Sequence, residues 1–291
     1  GSFIFSSNGR LAMQGPALAE LINPSAVPLE GGNLVVLLHY RGARADAIDR
    51  AGYRSVQLGF DFGRTPVFWL GDAPESQSFD RVQNLFGAAR DRKIQGLLIK
   101  LAALHGNSDV VIPFLARLVA APWPPEIRSE AAEGFDRHHD PRSVEILLRV
   151  ARTDPDSGVR AEAAETIGDV QVPESIPALT ALVNESADPA VRHEAAEGFG
   201  SQPAARALPA LETVIANNPH EDVLNEAIEA IGELGDQAGL PLLVHTATTH
   251  PNLQAQKEAV ETIGDLHQVP GMVDALTRVA WEHTNVEVQR E

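Results

Sequence analysis

The chain has 291 residues, of which 44% are apolar and 22% charged, an ordinary globular composition that suffices for one large or two modest domains. It has no cysteine, which excludes disulfides, thiol nucleophiles, zinc–thiolate sites and iron–sulfur clusters. Its net charge of −17 disfavours binding to nucleic acid or an anionic membrane through bulk charge, and no apolar run approaches the ~18 residues of a membrane span.

The N-terminal segment, 1–75, differs in pattern from the remainder of the chain. Residues 34–40 are an apolar run of strand length, and 53–60 and 66–70 flank a loop at 61–65 that could close a hairpin. Because two strands alone are marginally stable, we expect a small two- or three-stranded sheet that caps the helices after it. The sequence therefore predicts a domain at 1–75 with a small β-sheet.

Five later segments align without gaps and recur at a constant period, which equals the separation between Arg128 and Arg160 along the chain. They are Arg128–Phe135, Arg160–Ile167, Arg192–Phe199, Leu224–Ile231 and Gln256–Ile263. Each carries glutamate at its third and sixth positions. Glycine follows four of them at the place of a helix C-cap, at Gly168, Gly200, Gly232 and Gly264. The pattern predicts a recurring helix, here named helix A.

A second motif keeps the same period and predicts a second helix, helix B. A proline follows leucine or isoleucine at Pro113, Pro177, Pro209 and Pro241. Proline is tolerated in the first turn of a helix, so each of these should lie where a helix B begins. Asp156 and Asp188 precede helix A and are expected to be its N-caps.

Together the two motifs predict a single helix at 76–89 followed by six helix pairs. The pairs are 91–105/109–121, 125–136/142–153, 157–168/174–184, 189–200/205–217, 221–233/238–249 and 253–265/271–283. A pair of short helices cannot bury its apolar face alone, so neighbouring pairs must stack.

These motifs resemble HEAT repeats of the short variety named after phycobilisome lyases. The resemblance covers residues 76–291 and implies a mainly α fold, a right-handed α–α superhelix or HEAT solenoid of about six helix pairs. Residues 285–291 look like the start of another unit, so we expect the array to continue beyond Glu291. Proteins with such repeats are mostly binding scaffolds, and their B helices line the concave side.

The acidity is concentrated in the regular repeats. Residues 1–121 carry 12 basic and 10 acidic side chains, whereas residues 122–291 carry 11 basic and 30 acidic ones. On a helix at 100° per residue, Val191, Ala195 and Phe199 share one face, and Glu194 and Glu197 lie opposite. Stacked repeats should therefore expose two rows of glutamates, either as a docking ridge for a basic partner or as a solvated face.

We expect no metal, no cofactor and no catalytic residues. The dyad His193-Glu194 lies where the HEAT-repeat di-iron enzyme deoxyhypusine hydroxylase uses His-Glu dyads in several repeats, but one dyad cannot enclose two irons. His193 to Glu197 also lacks the second histidine of a zincin motif. His138-His139-Asp140 is interpreted as a polar turn before a helix, without the further ligands of a built metal site.

Arginine recurs in three consecutive units, at Arg128, Arg160 and Arg192. In HEAT arrays such an arginine braces neighbouring repeats through hydrogen bonds to aspartates or carbonyl groups. Asp156 and Asp188, which are separated by the same period, are the expected partners.

The exposed positions of helix B are the candidate partner site, basic at the N-terminal end and neutral further on. The candidate residues are Arg117, Arg149, Arg152, Asn184, Thr213 and His245. The sequence predicts a non-enzymatic scaffold for a protein partner or another domain of its own full-length chain. The alternative is a bilin-lyase-like or other enzyme-associated HEAT-repeat protein. The stretch 68–72 after a β segment also resembles exported bacterial HEAT proteins, which favours the cell envelope over the cytoplasm.

Overall fold

The computed structural model describes side chains over residues 74–120, 122–218 and 220–290, and backbone alone for five strands nearer the N-terminus. The strands are β1 (Ser2–Ser6), β2 (Glu20–Leu21), β3 (Val35–Tyr40), β4 (Ile48–Arg54) and β5 (Val67–Asp72). The chain forms two compact units, residues 1–115 and 116–291.

In the first unit the five strands form one sheet in the order β2-β5-β1-β3-β4. β4 pairs antiparallel with β3, whereas β5 pairs with β1 in parallel and with β2 antiparallel. The expected hairpin between 53–60 and 66–70 is therefore wrong, because β1 and β3 lie between β4 and β5. The predicted loop at 61–65 lies outside the described residues. The division at 75/76 and the capping of the repeats stay predictions.

The described helices of the first unit pack through aromatic side chains. They are α1 (Glu75–Ala88), α2 (Arg92–Ala103) and the start of α3 (Ser108–Ala120). Phe114 meets Phe79 and Phe86 edge to face, with ring centroids 5.8 Å apart in both pairs. His105 donates or accepts through Nε2 at 3.0 Å from Ser78 Oγ, and burial lowers its pKa, so it is a core residue.

The second unit is a stack of helix pairs. Its A helices are α4 (Pro125–Glu133), α6 (Ser157–Asp169), α8 (Pro189–Glu197), α10 (Glu221–Glu233) and α12 (Leu253–Asp265). Its B helices are α5 (Pro141–Thr153), α7 (Ser175–Glu185), α9 (Ala204–Asn217), α11 (Leu240–Thr249) and α13 (Met272–Glu282), and a short α14 (Val286–Arg290) follows. With α2 and α3 these are the six predicted pairs, and each observed end lies within about three residues of the predicted one.

Each A helix packs against the next A helix, from α4 to α12, and α5, α7 and α9 contact one another in the same order. The inward A-helix face is the predicted one, since Val191, Ala195 and Phe199 are fully buried. Leu179, Leu182 and Val183 of α7 are also buried. Two helical layers therefore enclose one continuous apolar core, and the HEAT-like α-solenoid predicted from the sequence is confirmed.

The predicted N-caps are confirmed. Asp156 accepts a hydrogen bond from the backbone N–H of Val159 at 3.1 Å, and Asp188 accepts one from Ala190 at 3.0 Å. The prolines differ in detail: Pro177 and Pro241 lie within the first turns of α7 and α11, whereas Pro113 and Pro209 lie inside α3 and α9, past the first turn.

The glycines that follow the aligned segments do not end the helices as C-caps. Gly168, Gly232 and Gly264 lie inside α6, α10 and α12. A Cβ at Gly168 would come within 2.6 Å of the Cα of Gly198, closer than real Cβ contacts allow. Glycine is required at this position because the chain segments of two repeats approach each other closely here. This constraint acts between repeats, whereas a C-cap acts within one helix.

Among the described residues, none of the helices is both long enough and apolar enough to cross a membrane.

Candidate functional site

All six predicted partner residues are exposed on B helices of the second unit. Arg117 lies on α3, Arg149 and Arg152 on α5, Asn184 on α7, Thr213 on α9 and His245 on α11. The six residues thus lie on B helices, as the sequence predicts. Their role in binding stays a prediction.

Two of the three arginines contact carboxylates in the array. Arg152 Nη2 donates to Glu185 Oε2 at 2.8 Å, which joins α5 to α7. Arg149 lies 3.7 Å from Glu145 on its own helix. All four side chains are at least 45% exposed, so solvent screens these pairs and each stabilises the fold by no more than about 1 kcal/mol. A carboxylate or phosphate on a ligand could replace Glu145 or Glu185 without large loss.

Two open clefts lie where consecutive B helices end and their loops lead to the next A helices. The first cleft has a volume of about 500 Å³ and is lined by Ala116, Val119, Ala120, Pro122, Arg128, Ile146, Arg149, Val150, Thr153, Asp154 and Pro155. The second cleft has a volume of about 660 Å³ and is lined by Ala151, Arg152, Ser157, Arg160, Leu182, Glu185, Ser186, Ala187, Asp188 and Pro189. Both combine an apolar wall with arginines and carboxylates.

The two clefts are the same feature in consecutive repeats. Seven lining positions of the first cleft recur one repeat later in the second. They pair Val119 with Ala151, Ala120 with Arg152, Arg128 with Arg160, Val150 with Leu182, Thr153 with Glu185, Asp154 with Ser186 and Pro155 with Ala187. The repeat itself therefore generates equivalent clefts in consecutive units. Of the six predicted residues, Arg149 lines the first cleft and Arg152 the second.

The recurrent arginines brace neighbouring repeats, as the sequence predicts. Arg128 donates through Nε and Nη2 to both carboxylate oxygens of Asp154, each at 2.8 Å, and through Nη1 to the carbonyl of Trp123. Arg160 donates to Asp188 and, at 2.7 Å, to the carbonyl of Asp154. These bonds fix the loops between helix B and the next helix A, and so fix the shape of the clefts.

One of the two predicted partners of these arginines is wrong. Asp188 does pair with Arg160, but Arg128 pairs with Asp154 rather than Asp156. The carboxylate of Asp156 is occupied as the N-cap of α6. The signal for Asp154 was weak in the sequence, because the next repeat has Ser186 there, whose backbone carbonyl accepts from Arg192 at 3.1 Å.

The A-helix surface carries the predicted glutamates, and their proximity changes their pKa values. Partial burial, followed by the charges of Glu162 and Glu194, raises the pKa of Glu165 to about 7. Burial and neighbouring glutamates likewise raise the pKa values of Glu194, Glu226, Glu233 and Glu258. The rows are thus a surface of crowded like charges.

This crowding predicts a pH dependence of stability. A carboxyl whose pKa is higher in the folded chain than its ordinary 4.5 stabilises the fold below that value, and this contribution is lost as the pH rises through about 7. Glu165→Gln should therefore be more stable than the wild type at pH 8, and equal to it near pH 4.5. Because Glu165 is exposed, we expect a gain below about 1 kcal/mol.

Urea titrations at pH 4.5 and pH 8 would measure this difference. Glu212→Gln, on the exposed surface of α9, is the matched control and should change little at either pH. An equal effect of Glu165→Gln at both pH values would contradict the raised pKa.

His193 lies close to glutamates from two helices. Its Nδ1 lies 3.1 Å from Glu226 Oε1 on α10, and its Nε2 lies 4.0 Å from Glu197 Oε2 on α8. One ligand atom from each of the three residues lies within 4.8 Å of the others. The pattern His193-Glu194 along one helix does not indicate Glu226, because Glu226 comes from the next repeat.

The His138-His139-Asp140 turn is the polar turn that the sequence predicts. His138 is buried at 2% exposure and His139 is exposed. Asp140 is the N-cap of α5, accepts from the Arg142 backbone at 2.8 Å and forms an ion pair with its guanidinium at 2.7 Å. Asp140 is therefore committed to starting the helix.

The repeats place the chain in a known family. The model of the family described as HEAT repeats matches residues 80–168, 112–200 and 184–264, and the protein therefore belongs to the HEAT-repeat family. No curated protein matches the chain significantly.

Solved structures of other helical repeat proteins are similar to this chain. The complex of CpcE and CpcF of phycocyanin lyase from Nostoc sp. PCC7120 gives a TM-score of 0.39 at 21% identity, over 61% of this chain and 73% of that chain. Human deoxyhypusine hydroxylase in complex with glycerol gives 0.33 at 19% identity, over 73% and 80%. The Escherichia coli protein YibA gives 0.41 at 17% identity, over 74% and 79%.

Proposed function

We propose that this protein is a non-enzymatic binding scaffold that holds an extended segment of a protein partner, or of another domain of its own full-length chain, on the B-helix layer. The observation that carries the proposal is the recurrence of one cleft in two consecutive repeats, with seven equivalent lining positions. A surface that repeats along its length suits a ligand that also repeats along its length.

The spacing of the clefts specifies the conformation of the ligand. Helices in contact lie about 10 Å apart, so the clefts of consecutive repeats should be separated by about the same distance. A polyproline II segment rises about 3.1 Å per residue with three residues per turn. Side chains three residues apart would thus point to the same side with a separation of about 9 Å, and could enter the two clefts together.

The lining specifies the chemistry of the ligand. Each cleft offers apolar contacts, from Val119 and Val150 in the first and Leu182 in the second, next to an exposed arginine. An acidic or phosphorylated segment with apolar residues would complement both features. Its binding should weaken as salt is added, because exposed charges are screened beyond about 8–10 Å.

Selection from a displayed library of random twelve-residue peptides tests this proposal before any partner is identified. Enriched peptides should carry acidic and apolar residues three positions apart. The variant combining Arg117→Ala, Arg149→Ala and Arg152→Ala should bind a selected peptide about 5- to 30-fold more weakly, since three exposed ion pairs together contribute about 1–2 kcal/mol.

The control is the double variant Glu258→Gln and Glu261→Gln, which changes the A-helix layer instead. It should leave the affinity for the selected peptide unchanged. If the glutamate variant abolishes binding while the arginine variant binds normally, the partner is held by the acidic rows and the proposal is wrong.

A further inference from the structure

We propose that His193, Glu197 and Glu226 form a site for one divalent transition-metal ion of the Zn²⁺ type, which links two consecutive repeats. His193 and Glu197 come from α8 and Glu226 from α10. A site with three protein ligands leaves a further coordination position for water, and an imidazole with two carboxylates is a ligand set that Zn²⁺ accepts.

The three side chains already converge. The ligand atoms lie within 4.8 Å of one another, and His193 Nδ1 is 3.1 Å from Glu226 Oε1. Ligands at about 2.0–2.2 Å from a tetrahedral Zn²⁺ stand about 3.3–3.6 Å apart. Glu197, whose ligand atom lies within 4.8 Å of those of His193 and Glu226, is an exposed side chain one helical turn away, so rotation about its side-chain bonds suffices to complete the site.

The repeat explains why the site occurs at one boundary among the described repeats. The glutamates equivalent to Glu197 and Glu226 recur in all five aligned segments. The position of His193 is instead occupied in the other four by Ser129, Ala161, Asn225 and Lys257. The array thus supplies two carboxylates at every boundary, and only α8 adds an imidazole to them.

The charge around the site favours a cation. The groups that act on Glu226 are His193, Glu229, Glu197 and Glu233, so three of these four neighbours are carboxyls. A divalent ion between Glu197 and Glu226 would relieve this repulsion and would connect α8 to α10.

Isothermal titration calorimetry with ZnCl₂ at pH 7.5 tests the proposal, because it reports stoichiometry and affinity directly. The wild type should bind one Zn²⁺ per chain, and Zn²⁺ should raise its Tm, since the ion binds only the folded chain. Mg²⁺ should bind at least tenfold more weakly, because it prefers oxygen ligands in octahedral geometry. His193→Ala should lose the binding, whereas His139→Ala, which changes an exposed histidine elsewhere, should keep it.

A gain of binding distinguishes a metal site from a hydrogen-bonded ion pair. Ala161→His places an imidazole next to Glu165 and Glu194, the equivalents of Glu197 and Glu226 in the preceding repeat. This variant, once its helical circular dichroism is shown to match the wild type, should bind two Zn²⁺ per chain. Absence of Zn²⁺ binding by the wild type, undiminished binding by His193→Ala, or a single equivalent in Ala161→His would each overturn the proposal.

Discussion

Replacing Phe199 with alanine should lower the free energy of unfolding by about 3–5 kcal/mol, the range found for large-to-small changes at buried aromatic positions. Phe199 is fully buried just after the end of α8. Its equivalents in the other repeats are also fully buried, at Phe135, Ile167, Ile231 and Ile263. The cavity would therefore interrupt an apolar row shared by the whole stack, and the array should lose stability as a unit.

Urea titration followed by circular dichroism measures this loss. Trp281→Ala is the matched control, because Trp281 is a larger aromatic residue that is 84% exposed, and its removal should change the stability by less than about 0.5 kcal/mol. A loss below about 1 kcal/mol for Phe199→Ala would show that Phe199 is not a core residue and that the helix A face is misassigned.

Asp154→Ala should also lower the free energy of unfolding by about 3–5 kcal/mol, because it leaves the charge of Arg128 buried without its partner. The two side chains are 10% and 4% exposed, and both oxygens of Asp154 accept from the Arg128 guanidinium at 2.8 Å. Asp154 also accepts a hydrogen bond from the backbone N–H of Asp156 at 2.9 Å, which the variant loses as well.

Two controls separate the unpaired charge from other effects. Glu145→Ala breaks the exposed pair with Arg149 and should change the stability by less than about 1 kcal/mol. The double variant Arg128→Leu and Asp154→Ala removes both charges and should be more stable than Asp154→Ala alone. A double variant less stable than the single one would contradict the assignment of the loss to an orphaned Arg128.

The helices were predictable because two independent motifs shared one period. The recurring glutamates at the third and sixth positions of each aligned segment located the A helices, and a recurring proline located the B helices to within a few residues. The N-caps at Asp156 and Asp188 followed from the same alignment, since a capping side chain acts on its own helix within a few residues.

What the sequence could not give were features that depend on two repeats at once. Gly168 has the position of a C-cap in one repeat, but its role comes from the approach of Gly198 in the next. Glu226 completes the cluster at His193 from a different helix, at a distance of 3.1 Å that no spacing along a single helix indicates. The clefts likewise arise between repeats, so the sequence predicted the exposed side chains of the B helices without the cavities.

The strand pairing in the sheet also could not be predicted from local sequence patterns. The sequence placed strands within 34–40 and 66–70, near β3 and β5, but paired neighbours along the chain. The observed order places β1, a segment of five residues at the N-terminus, between β3 and β5. A parallel pairing with so distant a segment leaves no local turn signal, so hairpin rules could not find it.

Hydrogen–deuterium exchange of the protein with and without a selected peptide tests most directly whether the B-helix layer is the binding surface. We expect slower exchange in segments that line the two clefts, 116–122, 146–155 and 182–189, with little change in the A helix at 221–233, which lines neither cleft. Slower exchange confined to the A helices, with the cleft segments unaffected, would contradict this expectation.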